Sequence, residues 1–245
     1  GHTPFGHIGE DELGKLSSCG FRHNKQSLRI VDVIEKDGQG LNLTWEVRNG
    51  ILNHSKPRGD FFKSEMVDGM TLEAQVLRIS DAIAYLNHDL LDAFRAGIIV
   101  EKDLPEDVIE ILGNRHSERV NTMVADVVRA SWAATGEIDV DVPPIIVMSD
   151  EIKGAVNSLR EYMFQNVYVP EDMSEEGKTA RHIINVLFDY FIANSNQVLD
   201  RFSWISKSDE QAVMDYISGM TDRYAIRTAE KINPNIGKIF SDRML

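Results

Sequence analysis

The sequence predicts an all-α protein, and three observations carry that prediction. Apolar residues recur at helical spacing along most of the 245 residues. Strand-like alternation is confined to VDVPPIIVM at 140–148, where two prolines interrupt it. Helix start and stop signals bracket the apolar runs at the positions where caps are expected.

Taken in order, Pro4 favours a helix beginning close to the N-terminus, and His7 and Glu10, three apart, share a face of it. A second helix is expected over 24–35 and a third over 41–53, with KDGQG at 36–40 as the turn between them and KPRGD at 56–60 as the next turn. The clearest helix follows. Leu72, Val76, Ile79, Ile83, Leu86, Leu90 and Phe94 recur at steps of four or three and predict one buried stripe. Thr71 is placed to cap its start and Gly97 to end it. Pro105 suits the first turn of a helix over 105–113, and Ser117 and Ser149 suit the N-caps of helices over 117–134 and 149–167, with DVPP at 141–144 as a loop between these two. Helices over 175–200 and 208–231 complete the chain, with no internal repeat and no low-complexity segment.

Composition narrows the function classes. A net charge of −13 argues against a general nucleic-acid or acidic-membrane surface, while leaving room for a local Arg or Lys cluster that binds an anion. The single cysteine, Cys19, excludes an internal disulfide framework and suits a reducing compartment. No apolar run approaches the roughly 20 residues that span a bilayer, so a soluble, cytoplasmic protein is expected. P-loop, Rossmann, zincin, hydrolase-elbow and zinc-ribbon patterns are all missing.

Three constellations carry chemistry. In GHTPFGHIGE, residues 1–10, a carboxylate beside an imidazole can fix its tautomer and raise its pKa, which suits general acid or base work; the plainer reading is a surface His–Glu pair. Opposite the apolar stripe of the long helix, Asp81, Tyr85 and Asp89 form an i, i+4, i+8 column beside His88 and Asp92. Its carboxylates suit a hard cation or hydrogen bonds to a ligand, and its plainer reading is a solvated face. In GFRHNKQSLRI, residues 20–30, Arg29 offers a planar fork suited to phosphate and His23 a donor, against the plainer reading of a helix start capped by Asn24.

Together these stretches resemble the deoxyguanosinetriphosphate triphosphohydrolase-like family of the HD-domain superfamily. GHTPFGHIGE resembles the second half of that family's HD-[IL]-GHTPFGH-x-GE block. GFRHNKQSLRIV, GLNLTWEVRNGIL and LEAQVLRISDAIAYLNHDL then follow in family order, and DYISGMTDRYA at 215–225 resembles its C-terminal signature.

The resemblance implies an HD-domain helical fold with additional C-terminal helices: a partial catalytic core over 1–135 and a helical region packed on it over 136–245. It implies hydrolysis of dGTP or another deoxynucleoside triphosphate to deoxynucleoside and inorganic triphosphate. His7 and Glu10 match the catalytic pair, which activates a water or protonates a departing oxygen during attack at the α-phosphate. His2 and His23 match phosphate-side histidines, and Tyr85 and Asp89 match positions that contact the deoxyribose. Asp81 matches the distal aspartate that ligates a divalent metal ion such as Mg or Mn. The family's upstream His and His-Asp ligands are expected before Gly1, so the chain as given is expected to hold an incomplete metal site and to lack activity by itself, with His88-Asp89 as a decoy for the namesake pair. Asp222 and Arg223 are expected at a site or subunit contact, without a role. A homo-oligomer is expected, with a regulatory nucleotide or single-stranded DNA as further partner and no membrane. An HD-type phosphohydrolase for another nucleotide, and a non-catalytic nucleotide sensor, stand as alternatives.

Overall fold

A computed structural model describes residues 1–55, 67–137, 144–202 and 205–243. Its main helices are α1 (Gly6–Leu16), α2 (His23–Arg29), α3 (Trp45–Asn53), α4 (Leu72–Arg95), α5 (Glu106–Leu112), α6 (His116–Ala130), α7 (Asp150–Met163), α8 (Glu175–Ala193), α9 (Asn196–Phe202), α10 (Asp209–Ser218) and α11 (Asp222–Ile232). Among the described residues there is no strand: 144–148 has no regular secondary structure, and 140–143 lies outside them, as does the turn expected at 56–60. The fold is all-α.

The chain forms two compact units, Gly1–Thr44 with Glu171–Leu245, and Trp45–Pro170. In the first, α8 is the central helix. Its Ile183, Ile184, Leu187 and Phe191 are buried with Leu13 of α1, Val213 and Ile217 of α10, and Ala225, Ile226 and Ala229 of α11. Each such Leu or Ile taken fully from water stabilises the unit by roughly 1.5–3 kcal/mol. In the second, the α4 stripe does the same. Ile79, Ile83, Leu86 and Leu90 pack with Val108 and Leu112 of α5, Met123 of α6, and Ile152, Val156 and Leu159 of α7.

Local chemistry explains where helices begin and stop. Thr71 caps α4 as expected, its Oγ1 accepting the Ala74 N–H at 3.1 Å, and Gly97 follows the helix in the left-handed region at φ 69°. The run expected over 175–200 breaks after Ala193, where the Asn194 side-chain amide donates to the Tyr190 carbonyl at 2.8 Å and competes with the helical backbone. The run expected over 208–231 divides at Gly219–Thr221, because Thr221 caps a fresh start by accepting the Tyr224 N–H at 3.2 Å. The helix expected over 41–53 begins at Trp45, after Asn42 at φ 52°. Ser149 sits at the N-cap of α7, but its hydroxyl donates to Asp126 at 2.8 Å rather than capping the helix. Arg115, not Ser117, precedes α6, with the Glu118 carboxylate accepting the Arg115 N–H at 3.0 Å. Val76 departs from the stripe and is 48% exposed.

Candidate active site

The N-terminal ten residues fold as a tight turn feeding α1. Phe5 and Gly6 both lie in the left-handed region, at φ 62° and 55°, and Thr3 Oγ1 donates to the Gly6 carbonyl at 2.8 Å. Gly9 of GHTPFGHIGE has a packing reason. A Cβ on Gly9 would stand 1.9 Å from the Pro4 carbonyl oxygen, so only glycine lets the first turn of α1 fold back on the Thr3–Pro4 turn.

That fold gathers His2, His7, Glu10 and His23. Glu10 is buried at 5% exposure and takes hold of His23 twice: Oε1 accepts the His23 backbone N–H at 3.0 Å, and Oε2 lies 2.8 Å from His23 Nδ1. The first contact satisfies one of the orphan donors at the start of α2, so one carboxylate both caps that helix and holds the His23 ring. His7 Nδ1 is 3.5 Å from the same Oε2. His2 stacks on His23 with centroids 4.4 Å apart at 21°, and meets His7 edge-on at 5.5 Å. The i, i+3 reading of the sequence pairs Glu10 with His7. The folded chain gives Glu10 a second and closer partner, His23, from thirteen residues away.

The electrostatics follow from that geometry. Burial alone would raise the Glu10 pKa, but hydrogen bonds from His23 and His7 outweigh it and hold the carboxyl well below the usual carboxylate range. An acceptor-only carboxylate at Nδ1 sets the proton of His23 on that nitrogen. Burial, and then the charges of His23 and His7, push His2 below its ordinary 6.5, so it is mostly neutral at pH 7 and offers one N–H.

In the second unit, Asp81 and Tyr85 stand exposed on α4 and Asp89 is half-buried one turn on, away from the Leu/Ile stripe as the column predicts. Sequence reasoning missed Tyr168. It lies at the end of a π-helical segment, Phe164–Tyr168, that extends α7. Its hydroxyl donates to Asp89 Oδ2 at 2.7 Å, and its ring stacks on Tyr85 with centroids 6.1 Å apart. Burial, then the Asp89 charge and Tyr85, push the Tyr168 phenol strongly upward, so it stays a donor. No spacing links it to Asp89, 79 residues away. His88 and Asp89 part company: the His88 ring meets His116 edge-on at 5.3 Å.

The fork of Arg29 is engaged within the first unit. Its Nε and Nη2 donate to the buried Asp215 at 2.8 and 2.6 Å, and Nη2 also donates to the Ile205 carbonyl at 3.1 Å. Asp222 accepts the Phe5 N–H at 2.9 Å. A groove of about 380 Å³ in the same unit is lined by Lys178, Thr179, His182 and Asn233–Ile236, and includes none of the histidine cluster. Among the described residues, no three His, Cys, Asp or Glu side chains gather as a metal-ligand set.

A family model for the phosphohydrolase-associated domain matches residues 146–231. Over 237 residues the chain is 44% identical to a deoxyguanosinetriphosphate triphosphohydrolase-like protein of Caldanaerobacter subterraneus, covering 95% of this chain and 64% of the relative. It is 42% identical over 230 residues to a protein of the same description from Clostridium tetani, covering 92% and 63%. It is 35% identical over 271 residues to another from Nitrosomonas europaea, covering 95% and 72%. The chain thus spans a little under two thirds of the length of the first two of these relatives. The order of blocks, the histidine–carboxylate cluster and these identities agree, and the chain belongs to the deoxyguanosinetriphosphate triphosphohydrolase-like family.

Proposed function

We propose that this chain serves a phosphohydrolase acting on a deoxynucleoside triphosphate, which yields the deoxynucleoside and inorganic triphosphate. The observation that carries the reading is the buried Glu10 carboxylate holding His23 at two points, with His7 beside it and His2 stacked on the far face. The description borne by the relatives supports the substrate class.

In this reading a water oxygen attacks the α-phosphorus and the bond from that phosphorus to the sugar 5′-oxygen breaks. His7 and Glu10 are the catalytic pair: one imidazole of the cluster takes the water proton, and a protonated one gives its proton to the departing 5′-oxygen. Glu10 keeps its charge throughout and orients the rings. His2, neutral, donates to a phosphate oxygen, and His23 contributes from the phosphate side. Tyr85 and Asp89 bind the deoxyribose, with Tyr168 presetting the Asp89 carboxylate. A divalent cation belongs to the proposal, with Asp81 as one ligand; it would polarise the α-phosphoryl group. A catalytic core over 1–135, a C-terminal helical region over 136–245, a cytoplasmic homo-oligomer, and a regulatory nucleotide or single-stranded DNA complete it.

Product analysis tests it. The full-length protein is incubated with dGTP and each other deoxynucleoside triphosphate in Mg or Mn, and the products are separated by anion exchange. Inorganic triphosphate with free deoxynucleoside is the expected result. Release of orthophosphate or pyrophosphate instead overturns it.

A further inference from the structure

We propose that Asp222 is a positioning residue for the histidine cluster, holding the turn from which His2 and His7 both project; this rests on the reading of that cluster as the active site.

Phe5 is the pivot of that turn. It lies three residues after His2 and two before His7, and adopts φ 62°, ψ 25°, a left-handed conformation that a bulky side chain rarely takes. Such a conformation persists only where the surroundings over-determine it. Two contacts do so. The Phe5 backbone N–H donates to Asp222 Oδ1 at 2.9 Å, across 217 residues of sequence. The Phe5 ring stacks against Phe240, itself buried in the core, at 5.9 Å and 21°. The first contact fixes the direction of the peptide plane, and the second fixes the side chain.

Asp222 is itself well anchored. It is the first residue of α11, behind the Thr221 cap, and α11 buries Ala225, Ile226 and Ala229 in the core of the same unit. A rigid helix therefore presents the carboxylate. Rotating the Phe5 peptide away from Asp222 would turn His7 relative to His2 and change the 5.5 Å approach of their rings. It would also swing the start of α1, which carries Glu10.

A plainer role exists for an aspartate at this place: a negative charge in a helix's first turn complements the helix dipole. The two roles separate on asparagine, which keeps the acceptor oxygen and loses the charge. In the full-length protein, D222A is expected to lower kcat for dGTP by about 10- to 100-fold with KM little changed, as a small displacement of reacting groups does. D222N is expected to recover most of that loss. In a Phe5→Gly background, where the left-handed φ carries no Cβ penalty, D222A is expected to cost less than in the parent. Equal losses in D222N and D222A, or the same D222A loss with glycine at position 5, overturn the proposal. Hydrogen exchange of the Phe5 amide reads the contact without catalysis. Faster exchange in D222A with near-parent exchange in D222N supports it even if dGTP is not the substrate, and unchanged exchange in D222A refutes it.

Discussion

Glu10→Gln isolates what the buried carboxylate does, because it keeps the shape and changes one hydrogen-bonding atom. The side chain can still turn its carbonyl oxygen to the His23 backbone N–H, preserving the 3.0 Å contact that begins α2. Its amide NH2 then faces His23 Nδ1 at the position now 2.8 Å away. Two donors cannot share that contact, so His23 moves its proton to Nε2 and accepts through Nδ1. A charge-assisted bond of about 1.5–3 kcal/mol becomes a neutral one of about 0.5–1.5, a net loss of about 1–2 kcal/mol. For a chain of this size that lowers Tm by about 2–8 °C.

Turnover is expected to suffer far more, because the proposed catalytic pair loses the carboxylate that orients His7, and the His23 ring beside it changes tautomer. General acid–base contributions of about 10²–10⁴ are at stake, and a tautomer error in Ser-His-Asp triads costs about 10⁴. Glu10→Ala is expected to differ in kind, leaving two buried donors without an acceptor at about 1–3 kcal/mol each. Steady-state turnover and thermal unfolding of the full-length protein measure both quantities, and 15N NMR of the His23 ring reads the tautomer directly. Wild-type turnover in Glu10→Gln, with the ring proton shown to have moved, refutes the role given to the carboxylate.

The same carboxylate makes stability acid-sensitive. Its folded pKa is depressed from 4.5, so its contribution is complete above that value and is lost as pH falls toward the folded one; urea denaturation of Glu10→Gln is expected to depend less steeply on pH below 4.5. His7→Ala is expected to lower turnover by about 10²–10⁴ with little change in Tm, since its side chain is 55% exposed. His23→Ala empties a 7%-exposed site and removes the nearer of the two rings at Glu10, and is expected to lose about 1–3 kcal/mol as well. Tyr168→Phe removes the donor to Asp89 and is expected to cost about 1.5–3 kcal/mol, with KM for the deoxynucleotide raised more than kcat is lowered. Asp215→Ala removes the acceptor shared by Gln26, Arg29, Ser206 and Gln211, and urea denaturation is expected to show about 3–5 kcal/mol lost.

Local periodicity was enough for the helices and not for their ends. The α4 stripe from Ile79 to Leu90 was legible because four buried side chains repeat at the helical period, and Thr71 and Gly97 bracket them. The breaks at Asn194 and at Gly219–Thr221 were not, because a side-chain amide taking one carbonyl and a hydroxyl capping one N–H leave no trace in an apolar pattern. Arg29 shows the same limit. A guanidinium fork in sequence looks equally suited to phosphate and to a carboxylate, and only the fold supplies Asp215, 186 residues on.

The site divides along the same line. Spacing of three brings His7 to Glu10 on one helical face, and the folded distance is 3.5 Å. The closer partner comes from another helix, and its arrival makes the three imidazoles unequal. One carboxylate can hold one ring most closely, and the fold gives that place to His23, ring nitrogen and backbone together. His7 shares the carboxylate from a more exposed position, where it can meet solvent or a reactant. His2, stacked over His23 and without a carboxylate contact of its own among those resolved at Glu10, is driven toward neutrality by burial and by its neighbours' charges. A fixed ring, an accessible ring and a neutral ring within about 6 Å of one another are three different environments for one residue type. The difference arises from where Glu10 places its two oxygens.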